Sequence, residues 1–323
     1  MTARIQQLIT LAALALAALW VWTFVRQGQL LWALLAPLAL LSILGAVLAL
    51  EFVLLRLVHA ADLTPRATAS ALASAWWGEL LAAVRVFCWR QPFKSQDYPD
   101  LVPQQGAEPQ RRGAVLVHGY FCNRGLWNRW LQRLREQGTP FIAVDLEPVF
   151  GSIDSLVPVL ESAVSTLEQQ TGQAPVVVAH SMGGLVLRRW YAKPGNEHRL
   201  HHAITLGTPH QGTWLARLAF TVNAREMRQG AAWLGCLSGD ETTTLHSRMP
   251  RFTCFYSNCD NIVFPPATAT LPGADNRHLP GVAHVDMVDM PQPWEELKRW
   301  LAMPTEPTAP AASDALSPDS PRG

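Results

Sequence analysis

The residues best suited to chemistry lie in the run Val176-Val-Val-Ala-His-Ser-Met-Gly-Gly184, where an apolar stretch stops at a serine set between small neighbours. A short β-branched run of this kind predicts a strand buried on both faces. Ser181 then falls where the chain must reverse into a helix over about 183–192. Such a turn strains the backbone of its central residue and lifts the hydroxyl clear of the sheet. It admits only small residues two before and two after the serine, here Ala179 and Gly183. A serine hydroxyl is a weak nucleophile at neutral pH, so the chemistry needs a base to take its proton and a third group to orient that base.

Four further stretches occur in an informative order. Gly113-Ala-Val-Leu-Val-His-Gly-Tyr120 is an apolar run ending in a small-residue loop, and Ile204-Thr-Leu-Gly-Thr-Pro-His-Gln-Gly-Thr213 has the same character after the serine. Phe255-Tyr-Ser-Asn-Cys-Asp260 ends a strand pattern in a carboxylate, and Leu279-Pro-Gly-Val-Ala-His284 carries a histidine in a loop. Over roughly residues 111–303 the chain resembles the lipase/esterase kind of the α/β-hydrolase superfamily, with Ala179 where glycine is usual. The resemblance implies an α/β fold with a mostly parallel sheet covered by helices on both faces. It implies Ser181 as nucleophile, His284 as base and Asp260 as the acid that orients it, in the chain order of that fold. It also places the backbone N–H groups of Tyr120 and Met182 as oxyanion donors.

Other titratable residues have plainer readings. His180 reads as a packing residue, and His118 and His210 as braces of their loops. Asp286 is a rival acid, but it lies only two residues from His284. Asp145 ends a strand too early in the chain for the acid of this topology. No metal site and no cofactor are expected.

The net charge of +1 and the 16% of charged residues lack the electrostatic footprint of a nucleic-acid partner. The five cysteines are odd in number and show no metal-type spacing, which suits free buried thiols in a reducing compartment. Two apolar segments open the chain, residues 5–25 and 30–50, each about the ~20 residues a bilayer crossing needs. The Arg26-Gln27-Gly28-Gln29 link predicts a transmembrane hairpin within residues 1–60. A signal peptide fits the first segment less well, because a small-residue cleavage pattern is lacking and a second span follows at once. Arg56, Arg66, Arg85, Arg90 and Lys94 follow the hairpin, while Arg26 stands alone between the spans. That bias predicts a multi-pass membrane protein of the inner or plasma membrane, with both ends of the hairpin and the catalytic domain on the cytoplasmic side.

Residues 61–110 divide into a Trp-rich amphipathic segment at 67–91, too polar to span, and a linker at 95–112. The segment fits either the membrane interface or a helix packed on the catalytic domain. The catalytic domain is expected at 111–303, with strands at 113–118, 141–145, 175–180, 202–206, 252–257 and 275–279, and helices at 125–137, 153–171, 183–192 and 292–302. Residues 210–250 form an insertion whose Trp214, Leu215, Leu218 and Trp233 are candidates for an acyl-binding cap. Residues 304–323 read as a disordered tail. The expected partners are an apolar acyl ester and the bilayer. Acyl transfer and thioester cleavage share the same triad and stay open, as does a non-catalytic module of this fold.

Overall fold

Five short apolar runs and one polar edge run form one parallel sheet in the order β2-β1-β3-β4-β5-β6. The computed structural model describes residues 1–58, 62–103, 111–245 and 251–303. The strands are β1 (Ala114–Val117), β2 (Phe141–Ala143), β3 (Val176–His180), β4 (His202–Leu206), β5 (Phe252–Tyr256) and β6 (Asp275–His278). Each lies within or matches its sequence expectation. The tail at 304–323, linker residues 104–110 and insertion residues 246–250 lie outside the described residues.

The helices are α1 (Thr2–Arg26), α2 (Leu30–Val58), α3 (Ala69–Arg85), α4 (Gln91–Phe93), α5 (Asn128–Glu136), α6 (Ile153–Thr171), α7 (Met182–Tyr191), α8 (Val222–Glu226), α9 (Ala232–Leu245) and α10 (Pro291–Ala302). A single π-helical turn, Val86–Arg90, joins α3 to α4.

Strands β1 to β5 are largely apolar because both of their faces are covered, whereas the edge strand β6, Asp-Asn-Arg-His, is polar and partly exposed. Val115, Val117, Val177 and Ala179 face one core with Leu156 and Leu160 of α6 and Leu185 of α7. The alternate residues Ala114, Leu116, Val176 and Val178 face a second core with Trp130 of α5 and Trp294 and Leu297 of α10. Register follows from this alternation, with Val117 opposite Ala179 and His180 opposite Leu206. The chain leaves β1 towards β2 on one side of the sheet and leaves β3 towards β4 on the other. The loops after β1 and β3 therefore diverge and open a crevice at the strands' C-terminal ends.

The N-terminal helices are joined to this domain at one end. A third apolar cluster unites Phe52 and Leu55 of α2, Ala75 of α3, and Cys259, Phe264 and Ala283 of the loops after β5 and β6. Trp76 Nε1 of α3 donates to the Gly45 carbonyl of α2 at 2.9 Å. At the start of α1, Gln6 Nε2 donates to Gln91 Oε1 at 2.7 Å and to the Phe121 carbonyl at 3.0 Å. Away from these contacts the hairpin's surface is aliphatic and open, with Leu8 70% and Leu31 75% exposed. Apolar surface on this scale is not sustained in water.

Among the described residues, three helical runs are long and apolar enough to cross a membrane: Thr2–Arg26, Leu30–Val58 and Ala69–Phe93. The third meets the length and composition criteria despite the polarity that argued against it in the sequence. Its Glu79 is buried against the loop that follows His284 rather than among apolar side chains. Residues of the expected linker also contribute to the fold, since Leu101 and Phe141 exchange backbone hydrogen bonds at the edge of β2. The five cysteines are free, but only Cys122, Cys254 and Cys259 are buried; Cys88 and Cys236 are exposed.

Candidate active site

Ser181 sits between β3 and α7 with φ 55° and ψ −129°, a backbone conformation that side-chain-bearing residues rarely adopt. Conformations of this kind cost on the order of 1–3 kcal/mol and persist only where the surroundings enforce them. The enforcement is visible on both sides of the turn. Ser181 N–H donates to the Leu206 carbonyl at 2.8 Å. A Cβ at Gly183 would lie 2.5 Å from the His118 carbonyl oxygen, so only glycine lets α7 start this close to β1.

Asp260 and His284 meet beside this turn. His284 Nδ1 lies 3.0 Å from each carboxylate oxygen of Asp260. Asp260 Oδ1 also accepts the N–H groups of Ile262 at 2.9 Å and Val263 at 2.7 Å, which fixes the carboxylate after β5. Gly207, at φ +54°, lies under the pair; a Cβ there would sit 2.9 Å from Asp260 Oδ2 and 3.0 Å from His284 Nδ1. Burial works against the charged form of His284, but the charge and hydrogen bond of Asp260, with the charges of Glu79 and Glu51, outweigh it and hold the imidazole above its ordinary pKa.

The neighbouring histidines behave oppositely. Burial, then the nearby His284, hold His180 well below its ordinary pKa, and its Nε2–H donates to the His284 carbonyl at 3.2 Å. Burial likewise lowers His118, whose Nδ1–H donates to the Gly119 carbonyl and whose Nε2 accepts the Leu146 N–H, both at 2.9 Å. Both are neutral braces, in contrast to His284, whose pKa is raised. His210 braces its loop, with Nε2 3.1 Å from Thr205 Oγ1. Asp145 accepts the Arg124 N–H at 2.8 Å, away from the pair.

Ser181 and His284 line a common cavity of about 440 Å³. Tyr120 also lines it, its ring against Phe150 at 5.8 Å between centroids. Met182 opens α7, and its side chain is buried in the core. As the first residue of that helix, its N–H has no partner within the helix. Phe121, which follows Tyr120, has φ +53°, and its carbonyl is the one held by Gln6 of α1.

The apolar wall differs from the one expected. Trp214, Leu215, Leu218 and Trp233 do not line the cavity. Trp214 stacks on Phe264, and with Leu215 it joins the cluster against α2 and α3. Trp233 Nε1 donates to Asp154 Oδ2 at 3.1 Å in the first turn of α6, and Leu218 is 58% exposed. The wall comes instead from Leu44, Val47 and Leu48 of α2 and from Ala83 and Phe87 beside it. Apolar character in 210–250 signalled burial but not against which surface.

Two glutamates of the N-terminal helices also reach this site. Glu51 of α2 accepts Asn261 Nδ2–H at 2.7 Å, and Asn261 Oδ1 accepts the His284 N–H at 3.2 Å. Glu79 of α3 accepts the Val285 N–H at 3.0 Å and the Asp286 N–H at 3.2 Å. The loop carrying His284 is thus held by carboxylates more than two hundred residues upstream. The only sign of them in the sequence is an acidic residue within or at the end of an apolar helix. Among the described residues, no group of His, Cys, Asp and Glu could hold a metal ion.

The chain belongs to the alpha/beta hydrolase family, whose model matches residues 114–321. Among solved structures it is similar to the mature form of the lipase BlEst2 of Bacillus licheniformis, at 18% identity and a TM-score of 0.52, covering 62% of this chain and 96% of that one. It is similar to the propeptide form of the same lipase at 19% identity and a TM-score of 0.51, covering 65% of this chain and 54% of that one. Lipase B of Aspergillus fumigatus matches at 20% identity and a TM-score of 0.48, with 55% and 49% covered. The BlEst2 likenesses establish the fold. No curated protein matches the chain in sequence.

Proposed function

We propose that this chain is a membrane-anchored serine hydrolase that cleaves carboxylic esters of apolar acyl groups. The observation that carries the reading is a strained Ser181 in one cavity with a His284 whose imidazole is held by a buried Asp260. In this reading Ser181 Oγ attacks the ester carbonyl while His284 Nε2 takes its proton. Asp260 keeps Nδ1 protonated and stabilises the imidazolium. The alkoxide that forms is held by the N–H groups of Tyr120 and Met182. Collapse expels the alcohol, which receives the proton from His284, and leaves Ser181 acylated. Water activated by the same imidazole then releases the acid and restores the serine.

The hairpin of α1 and α2 supplies the anchor, its exposed aliphatic surface turned to lipid. The excess of arginine and lysine after α2 puts the catalytic domain, residues 111–303, on the cytoplasmic side. Hydrolysis of p-nitrophenyl esters by the full chain and by Ser181→Ala tests the assignment. Ester cleavage by wild type that vanishes in the variant supports it. Equal rates in the two proteins overturn it.

A further inference from the structure

The cavity at Ser181 is closed on one side by a helix whose other side has no protein against it. Leu44, Leu48, Glu51 and Leu55 recur at helical spacing along the inner face of α2. The opposite side presents Ile43, Leu50 and Val53, each more than half exposed. From Leu30 to Leu48 the helix rises about 27 Å, close to the ~30 Å of a hydrocarbon core. If Leu30 stands at the far surface, Leu44–Leu48 stand where α2 leaves the bilayer. The cavity then opens at the near membrane surface. Exposed aromatics surround that level. Phe150, 42% exposed, stacks on the cavity residue Phe121, while Trp77 and Trp89 project from α3 and the π-turn after it. Aromatic side chains of this kind favour the membrane interface.

Resting on the reading of Ser181 as an acylating nucleophile, we infer that the substrate is a bilayer-resident acyl lipid, and that its chain lies against the inner face of α2. Leu44, Val47 and Leu48, with Phe87 and Phe121, form the chain's wall, and the chain enters from the lipid side. The membrane helix is then both anchor and specificity element, and the 210–250 insertion is neither. Because α2 is apolar on both faces at this level, an acyl chain passes from bilayer to cavity without crossing water. A soluble short-chain ester has no such advantage.

The test uses the full chain reconstituted in phosphatidylcholine vesicles, with p-nitrophenyl acetate, decanoate and palmitate as probes. Leu44 is half-buried, so a larger side chain there projects into the cavity with little disturbance of the core. Leu44→Trp is expected to lower the decanoate-to-acetate ratio by at least about tenfold, since each methylene excluded loses ~4-fold. Leu44→Ala, which enlarges the chamber, is expected to move the optimum to longer chains and decides the matter if the tryptophan variant fails to fold. Trp233→Ala is expected to leave the ratio unchanged. Ratios unmoved in both Leu44 variants, or moved by Trp233→Ala instead, overturn the assignment of the wall. Failure of wild type to react with a fluorophosphonate at Ser181 would be a different failure, that of the catalytic reading itself.

Discussion

Replacing Glu79 with alanine is the sharpest test of how the N-terminal helices serve the site. Glu79 is 2% exposed, and its carboxylate accepts from the backbone N–H groups of Val285 and Asp286, the two residues after His284. Truncation leaves one buried donor unpaired, at about 1–3 kcal/mol, and one partly buried donor at less, so the folded state loses roughly 1–4 kcal/mol. Water entering from the cavity recovers part of this. The loop carrying His284 also loses its anchor, and a displacement near 1 Å costs on the order of 10²-fold in rate. Glu79→Gln keeps one acceptor oxygen within reach of the same donors and should retain most of both. The assay is kcat/KM for p-nitrophenyl butyrate alongside thermal unfolding in detergent, for wild type, Glu79→Ala and Glu79→Gln. Wild-type kinetics in Glu79→Ala would refute the argument that α3 positions the histidine.

Other outcomes follow from the same geometry. The imidazole of His284 must be neutral to act as base, and Asp260 holds it above its ordinary value of ~6.5. The acid limb of kcat/KM therefore lies above that value, and activity falls as pH drops through it. Asp260→Asn should lower kcat by about 10³–10⁴-fold and shift the acid limb to lower pH, as a pH–rate profile would show. Gly207→Ala places a methyl 2.9 Å from Asp260 Oδ2 at a φ of +54°. It should destabilise the fold by about 1–2 kcal/mol and cut activity more than tenfold, checked by unfolding and initial rates. The full chain should stay in the membrane fraction after carbonate washing, and a reporter fused after Leu101 should report the cytoplasmic side.

Features written in contiguous residues were legible in the sequence. Strands β1 to β5 were readable because a parallel sheet covered on both faces leaves uninterrupted apolar runs, a pattern that the polar edge strand β6 lacks. The elbow was readable because the steric demand at Ser181 falls on residues only two positions away. Contacts between distant segments were not readable. Glu51 and Glu79 look like polar interruptions of apolar helices until their partners, 210 and 206 residues away, are in place. Which apolar side chains line the cavity was not readable for the same reason. Trp214 and Leu44 are both large apolar side chains in apolar stretches, and only the packing of α2 across the loops after β5 and β6 tells which one lines the cavity of Ser181. Gly207 carried no local signal, because its constraint comes from Asp260 and His284 above it.

The central claim is that Ser181 is a nucleophile activated by His284, and covalent capture tests it most directly. Full-length protein treated with a fluorophosphonate and analysed by peptide mass spectrometry should carry one adduct, on Ser181. The adduct should be absent in Ser181→Ala and should form far more slowly in His284→Ala. An adduct on another residue, or undiminished labelling of Ser181→Ala, would contradict the account.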